Sequence, residues 1–147
     1  MFRSIVVGTD GSETAHKAVG AAIELARLTG AQLELVSAYE PPTWQRTLAG
    51  SRSGPGDPRW TVAPREDVDA TLAEAAARAQ AAAIGSRSFA REGDPADAIL
   101  DVAEELNADL IVVGSKGTTG AERFLLGSVP DKVTHHAPCA VMIIRTN

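Results

Sequence analysis

Two short, uninterrupted apolar runs constrain this chain more than any other feature. Ile5-Val6-Val7 follows Ser4 and ends at Gly8, and Leu110-Ile111-Val112-Val113 runs between Asp109 and Gly114. A strand with one face in water alternates polar and apolar residues, so a run without a polar member is buried on both faces. Such strands belong to parallel sheets held between two layers of helix. The chain must therefore supply its own helices, and it does so in alternation with strands.

Ala15, Ala18, Val19, Ala22 and Ala26 recur at three- and four-residue steps, an amphipathic helix closed by Gly30. Gln32 to Tyr39 alternates Leu33, Leu35 and Ser37 against Glu34, Val36 and Ala38, a second strand. Val68, Leu72, Ala75, Ala76 and Ala79 mark a second helix in an alanine-rich stretch that favours helix on propensity alone. Ser86 to Glu92 is a weakly patterned strand. Asp94-Pro95 opens a third helix, an N-cap residue followed by proline at the first helical position, with Ala96, Ile99, Leu100 and Ala103 as its inner stripe. Asp109 to Gly114 is the fourth strand, Ser128 to His136 the fourth helix and Ala140 to Ile144 the last strand. The alternation predicts an open α/β fold: a parallel five-stranded sheet with right-handed crossovers and helices on both faces.

A length of 147 residues fits one domain, and no repeat or second boundary interrupts it, so residues 1–147 are expected to form a single unit. The one break is a long loop at about 41–63. Pro41 to Pro64 holds five of the eight prolines and both tryptophans, Trp44 and Trp60. Stretches of this kind are functional or disordered.

Fourteen Lys and Arg against nineteen Asp and Glu give a net charge of −5. That argues against nucleic acid and anionic membranes as partners, since both need a cationic footprint. A local anion site made of backbone N–H groups stays compatible with it. No stretch approaches the ~20 apolar residues of a membrane span, and no leader pattern opens the chain. Cys139 is the only cysteine, which excludes an intrachain disulfide framework and a cysteine metal cluster. A reducing cytoplasm is the expected setting.

Open α/β sheets bind ligands at the carboxyl ends of their strands. That rule selects Thr9-Asp10-Gly11, Ser37-Ala38-Tyr39 and the segment after Val113. The last begins Gly114-Ser115-Lys116-Gly117 and reaches Leu126-Gly127-Ser128-Val129-Pro130 as a helix opens. Glycine lets backbone approach a ligand closely, and free N–H groups at a helix start attract anions. Pro130, in the first turn, gives up an N–H that the helix would not use. The physical reading is a phosphate cradle with two walls, Gly114–Gly117 and Gly127–Ser128. Its alternative is structural: Gly114 and Gly117 only turn the chain, and Ser128 only caps its helix. The segment is neither a Walker A loop nor the dinucleotide fingerprint.

Gly114-x-x-Gly117, followed after nine residues by Gly127-Ser128, resembles the ATP-binding signature of the universal stress protein family. Val6-Val7-Gly8-Thr9-Asp10-Gly11-Ser12 is similar to that family's first strand and aspartate. Leu126 to Pro130 and Ala137-Pro138-Cys139-Ala140-Val141 resemble its final helix and strand. The likeness covers essentially the whole chain and is weakest across Pro41–Ala63.

The resemblance implies a flavodoxin-like, adenine nucleotide alpha hydrolase-like sheet of strand order 3-2-1-4-5. It implies a cytoplasmic stress-response protein that binds ATP, with Mg²⁺ as companion, and acts as a switch with at most slow hydrolysis. Carried onto this sequence, Asp10 contacts the ribose or organises the pocket floor, and Ala38 lies against adenine. Gly114, Ser115, Lys116 and Gly117 wrap ribose and phosphates, Gly127, Ser128 and Val129 hold the outer phosphates, and Thr9 and Val113 complete the nucleotide-binding set. Pro130 departs from the pattern, where a hydroxyl residue often stands. Cyclic AMP or AMP in the same pocket is the alternative ligand. A protein-interaction module, recruiting through the loop and an edge strand, is the alternative class. In the order 3-2-1-4-5, Ala140–Ile144 lies at an edge with no charge or proline until Arg145, and the resemblance implies a homodimer through it.

Other polar residues have plainer readings. Asp10 could serve the pocket or cap the first helix with Glu13, a role Ser12 fills equally well. Lys116, beside the cradle, is placed to pair with phosphate. His135 and His136 point about 100° apart on a helix and have no carboxylate or cysteine cluster beside them, so they suit a helix end better than a metal. Cys139 is expected to be a buried small hydrophobe and His16 to be solvated.

Overall fold

The computed structural model describes residues 2–40, 64–115 and 127–145. Among these, strands β1 (Ser4–Gly8), β2 (Gln32–Tyr39), β3 (Ser86–Glu92), β4 (Leu110–Gly114) and β5 (Ala140–Ile144) form one sheet. Its order is β3-β2-β1-β4-β5, and every neighbouring pair is parallel. Helices α1 (Glu13–Thr29), α2 (Arg65–Ala81), α3 (Pro95–Glu105) and α4 (Ser128–His136) alternate with the strands. The fold is the one the alternation predicts, and the strand order is the one the resemblance implies. The loop at about 41–63, with Trp44 and Trp60, lies outside the described residues.

The two apolar runs occupy the centre because only there do helices cover both faces. Ile5, Val7, Leu110 and Val112 pack with α1 and α2, while Val6, Ile111 and Val113 pack with α3 and α4. Full burial contributes about 1.5–3 kcal/mol for each such aliphatic side chain. At the edge, Val141 and Ile143 meet one core, Met142 and Ile144 the other, and all four stay half-buried.

One charge is buried in the sheet. Glu34 of β2 is 0% exposed, on the face it shares with Val36, and its register partner on β3 is Arg87. Arg87 donates to the carboxylate through Nε at 2.9 Å and Nη2 at 2.6 Å. The simple alternation of β2 concealed this, because Glu34 looked like an ordinary polar-face residue.

At the amino ends of the strands Asp109 anchors the start of β1. Its carboxylate accepts the N–H groups of Arg3, at 2.9 Å, and Ser4, at 3.1 Å. Desolvation pushes this carboxyl up, but the backbone N–H groups of Arg3, Ser4 and Asp109 itself, with the amino-terminal charge, outweigh it and hold the carboxyl below the usual carboxylate range.

Candidate functional site

The loop after β1 is built as a rigid turn. Thr9 is buried, and its N–H donates to the Val36 carbonyl at 2.9 Å, tying the end of β1 to β2. Gly11 adopts φ +80°, a conformation that favours glycine. Its N–H donates to Thr9 Oγ1 at 3.2 Å, and the Ser12 N–H donates to Asp10 Oδ1 at 2.9 Å. Ser12 caps α1, accepting the Ala15 N–H at 3.2 Å. Asp10 is therefore not the cap; it braces the turn with one carboxylate oxygen and stays half-exposed at the end of the sheet.

The end of β4 lies beside this turn. A Cβ at Gly114 would stand 2.4 Å from Thr14 Cγ2 and 3.2 Å from the Thr14 carbonyl oxygen. Close packing of the start of α1 thus demands glycine at this position, whatever approaches from outside. Ser115 is buried, and its N–H donates to the Ile144 carbonyl at 2.9 Å. Its own carbonyl accepts the Gly127 N–H at 2.9 Å, which brings the second wall against the first. Lys116 and Gly117 lie outside the described residues.

Gly127, with φ −64°, is the N-cap of α4, and Ser128 is the first helical residue. The structural alternative for Ser128 as a cap is therefore corrected: no side chain caps this helix. Helices α1 and α3 are closed by Ser12 and Asp94, the latter accepting the Asp97 N–H at 3.0 Å. In the first turn of α4 the Gly127 N–H is used by Ser115, the Asp131 N–H reaches the Gly127 carbonyl at 3.1 Å, and Pro130 has none. Among the described residues the N–H groups of Ser128 and Val129 are given no backbone acceptor, and they lie at the positive end of the helix dipole. Donors in that position are of the kind that suits an anion.

The apolar residues at this end pack together: Val113 and Val129 belong to one core cluster with Ile99 of α3, and Ala38 packs against it. A Cβ at Gly8 would lie 2.4 Å from Ile99 Cδ1, so α3 rises close under the end of β1. An apolar floor with a few convergent polar groups is the usual make-up of a small-molecule site.

Several contacts at this end had no local sequence signal, because they join distant residues. Arg65, opening α2, stacks 4.8 Å over the Tyr39 ring and donates to its hydroxyl at 3.3 Å. Lys132 of α4 reaches Asp97 at 2.9 Å and Asp94 at 3.4 Å, linking the starts of α3 and α4.

The remaining expectations divide. His135 and His136 both stand exposed in the last turn of α4. His135 Nδ1 lies 2.8 Å from the Asp131 carbonyl oxygen. His16 is not simply solvated, since its Nε2 lies 2.8 Å from Glu74 Oε1 in the seam between α1 and α2. Cys139 is half-buried, not fully buried; desolvation, with the Asp109 charge adding, pushes its thiol up and disfavours the thiolate. Among the described residues no group of three His, Cys, Asp or Glu could hold a metal ion, and no helix is long and apolar enough to cross a membrane.

The Universal stress protein family model matches residues 1–145. This chain belongs to that family. A universal stress protein of Thermus aquaticus is 34% identical over 147 residues, spanning 99% of this chain and 100% of the relative. A universal stress protein crystallised in complex with cAMP is 33% identical, with a TM-score of 0.74 over 99% of both chains. The universal stress protein from Archaeoglobus fulgidus in complex with dAMP is 27% identical, with a TM-score of 0.67 over 97% of this chain and 98% of that one. Membership in the universal stress protein family thus rests on the whole length of the chain, and two structural relatives carry an adenine nucleotide.

Proposed function

We propose that this chain binds an adenine nucleotide at the carboxyl ends of β1, β2 and β4 and acts as a cytoplasmic binding switch in a stress response. The observation that carries the reading is the uncapped start of α4, held against Ser115, with the Ser128 and Val129 N–H groups available to phosphate. Thr9 and Asp10 meet the ribose, and Ala38, Val113 and Val129 form the floor beneath the base. Gly114, Ser115, Lys116 and Gly117 supply the inner wall, and Gly127 and Ser128 the outer one. Two relatives whose structures are complexes with cAMP and with dAMP support the ligand class.

ATP is one ligand of this class. Mg²⁺ is its proposed companion. Phosphoryl transfer needs positioned donors and metal ions, and the proposed switch involves at most slow hydrolysis. Cyclic AMP or AMP is the second ligand, supported by the relatives in complex with cAMP and dAMP. A homodimer through β5 completes the proposal.

Isothermal titration with ATP plus Mg²⁺, AMP and cyclic AMP tests the reading. Saturable binding of at least one, competed by the others, is the expected result. The absence of binding by all three leaves the protein-interaction module in its place.

A further inference from the structure

The turn that carries Asp10 leans on a helix outside the candidate site. A Cβ at Gly11 would meet Thr71 Oγ1 at 3.1 Å, Thr71 Cγ2 at 3.6 Å and Thr71 Cβ at 4.0 Å, its nearest non-adjacent neighbours among the described residues. Bonds from Thr9, Asp10 and Ser12 fix the turn from within. On the side facing α2, the wall is the side chain of Thr71.

Thr71 cannot easily withdraw. It shares a face of α2 with Glu74 and Arg78, at i, i+3 and i+7, and that stripe is laced onto α1. Glu74 Oε1 meets His16 Nε2 at 2.8 Å, and Arg78 Nη1 donates to the His16 carbonyl at 3.0 Å. Further along, Arg78 Nη2 would lie 3.0 Å from a Cβ at Gly20. Two ties below Thr71 therefore join α2 to α1, on the stripe that carries the wall against Gly11.

We infer that Thr71 is a positioning residue for the nucleotide site, holding the Asp10–Gly11 turn in the geometry that meets the ribose. It touches no ligand itself. The inference rests on the nucleotide reading above for its effect on affinity, but not for its effect on the turn.

Thr71→Ala and Thr71→Val separate the two. Alanine removes the wall and keeps helix propensity; valine replaces the hydroxyl by a methyl and keeps the wall. Amide hydrogen exchange and cyclic AMP titration are measured on the wild type and both variants. In Thr71→Ala, exchange at Gly11 and Ser12 should rise at least about fivefold while the Ala22 amide is unchanged, the signature of a local opening. Affinity for cyclic AMP should fall at least about fivefold, and Thr71→Val should stay within about twofold of wild type in both measurements. Unchanged exchange at Gly11 in the alanine variant overturns the brace. Faster exchange with unchanged affinity overturns the positioning role. A wild type that binds no cyclic AMP sinks that ligand alone; AMP or ATP then serves as the affinity probe, and if none binds the nucleotide reading falls while exchange alone decides the brace.

Discussion

The Gly127 amide donates to the Ser115 carbonyl at 2.9 Å, joining the N-cap of α4 to the residue that follows β4. Because the Ser115 N–H is bonded to Ile144, one peptide group and its neighbour connect the cradle to the edge strand β5. The relationship fixes where the two donors of α4 sit relative to the sheet. It also makes Gly127 the residue whose substitution best separates fold from binding.

Gly127→Val should fold normally and bind poorly. The φ of −64° and ψ of 169° at Gly127 are open to any L-residue, so the backbone imposes no strain. A branched side chain beside the Ser128 and Val129 donors blocks the approach of phosphate. Circular dichroism should match wild type while nucleotide affinity falls at least about tenfold, or about 1.4 kcal/mol. Unchanged affinity in a folded variant would remove the cradle.

Gly114→Ala should act in the opposite way, through stability. The added methyl overlaps Thr14 Cγ2 and must push the start of α1 away from β4. Overpacking of this kind costs about 1–3 kcal/mol. Thr14→Ser deletes the colliding methyl, so the double variant should recover part of the loss in a denaturant melt. A double variant no more stable than Gly114→Ala would show that the overlap is not the cause.

Asp109 should contribute to the acid limb of stability. Its folded pKa lies below an unfolded value near ~3.9, so its contribution is present above that value and fades as pH falls through the folded pKa. Asp109→Asn should lower the Tm at pH 7, and the gap to wild type should narrow toward pH 3. A gap of constant size from pH 7 to pH 3 would show that the carboxylate charge is not responsible.

The proposed dimer is tested at β5. Ile143→Lys places a charge on an edge strand whose apolar residues are only half covered. Light scattering at micromolar concentration should give twice the chain mass for wild type and a shift toward the monomer for the variant. A monomeric wild type ends the proposal, and a variant that stays dimeric moves the interface elsewhere.

Most of the fold was legible because it follows from local patterning. The runs at Ile5–Val7 and Leu110–Val113 announced central strands, and Asp94-Pro95 announced the start of α3 at the residue where it begins. The site was legible in part: glycines and a helix start are local signals, and Gly127 and Ser115 do come together. What escaped was the pairing of distant side chains. Nothing near Thr71 in sequence indicates that it abuts Gly11, and nothing near His16 predicts Glu74. Glycine at Gly114 carried an ambiguous signal, since a close ligand and a close Thr14 demand the same residue.

The pairing of Glu34 with Arg87 changes how the β3 edge should behave when the protein breathes. Edge strands ordinarily fray first, since few apolar contacts hold them. Peeling β3 away from β2 would strip Arg87 from a carboxylate that is 0% exposed in the closed sheet. Leaving such a charge unpaired is strongly unfavourable. Partial opening on this side is therefore penalised out of proportion to the hydrophobic surface it exposes. The strand is held to the molecule by the consequence of leaving it.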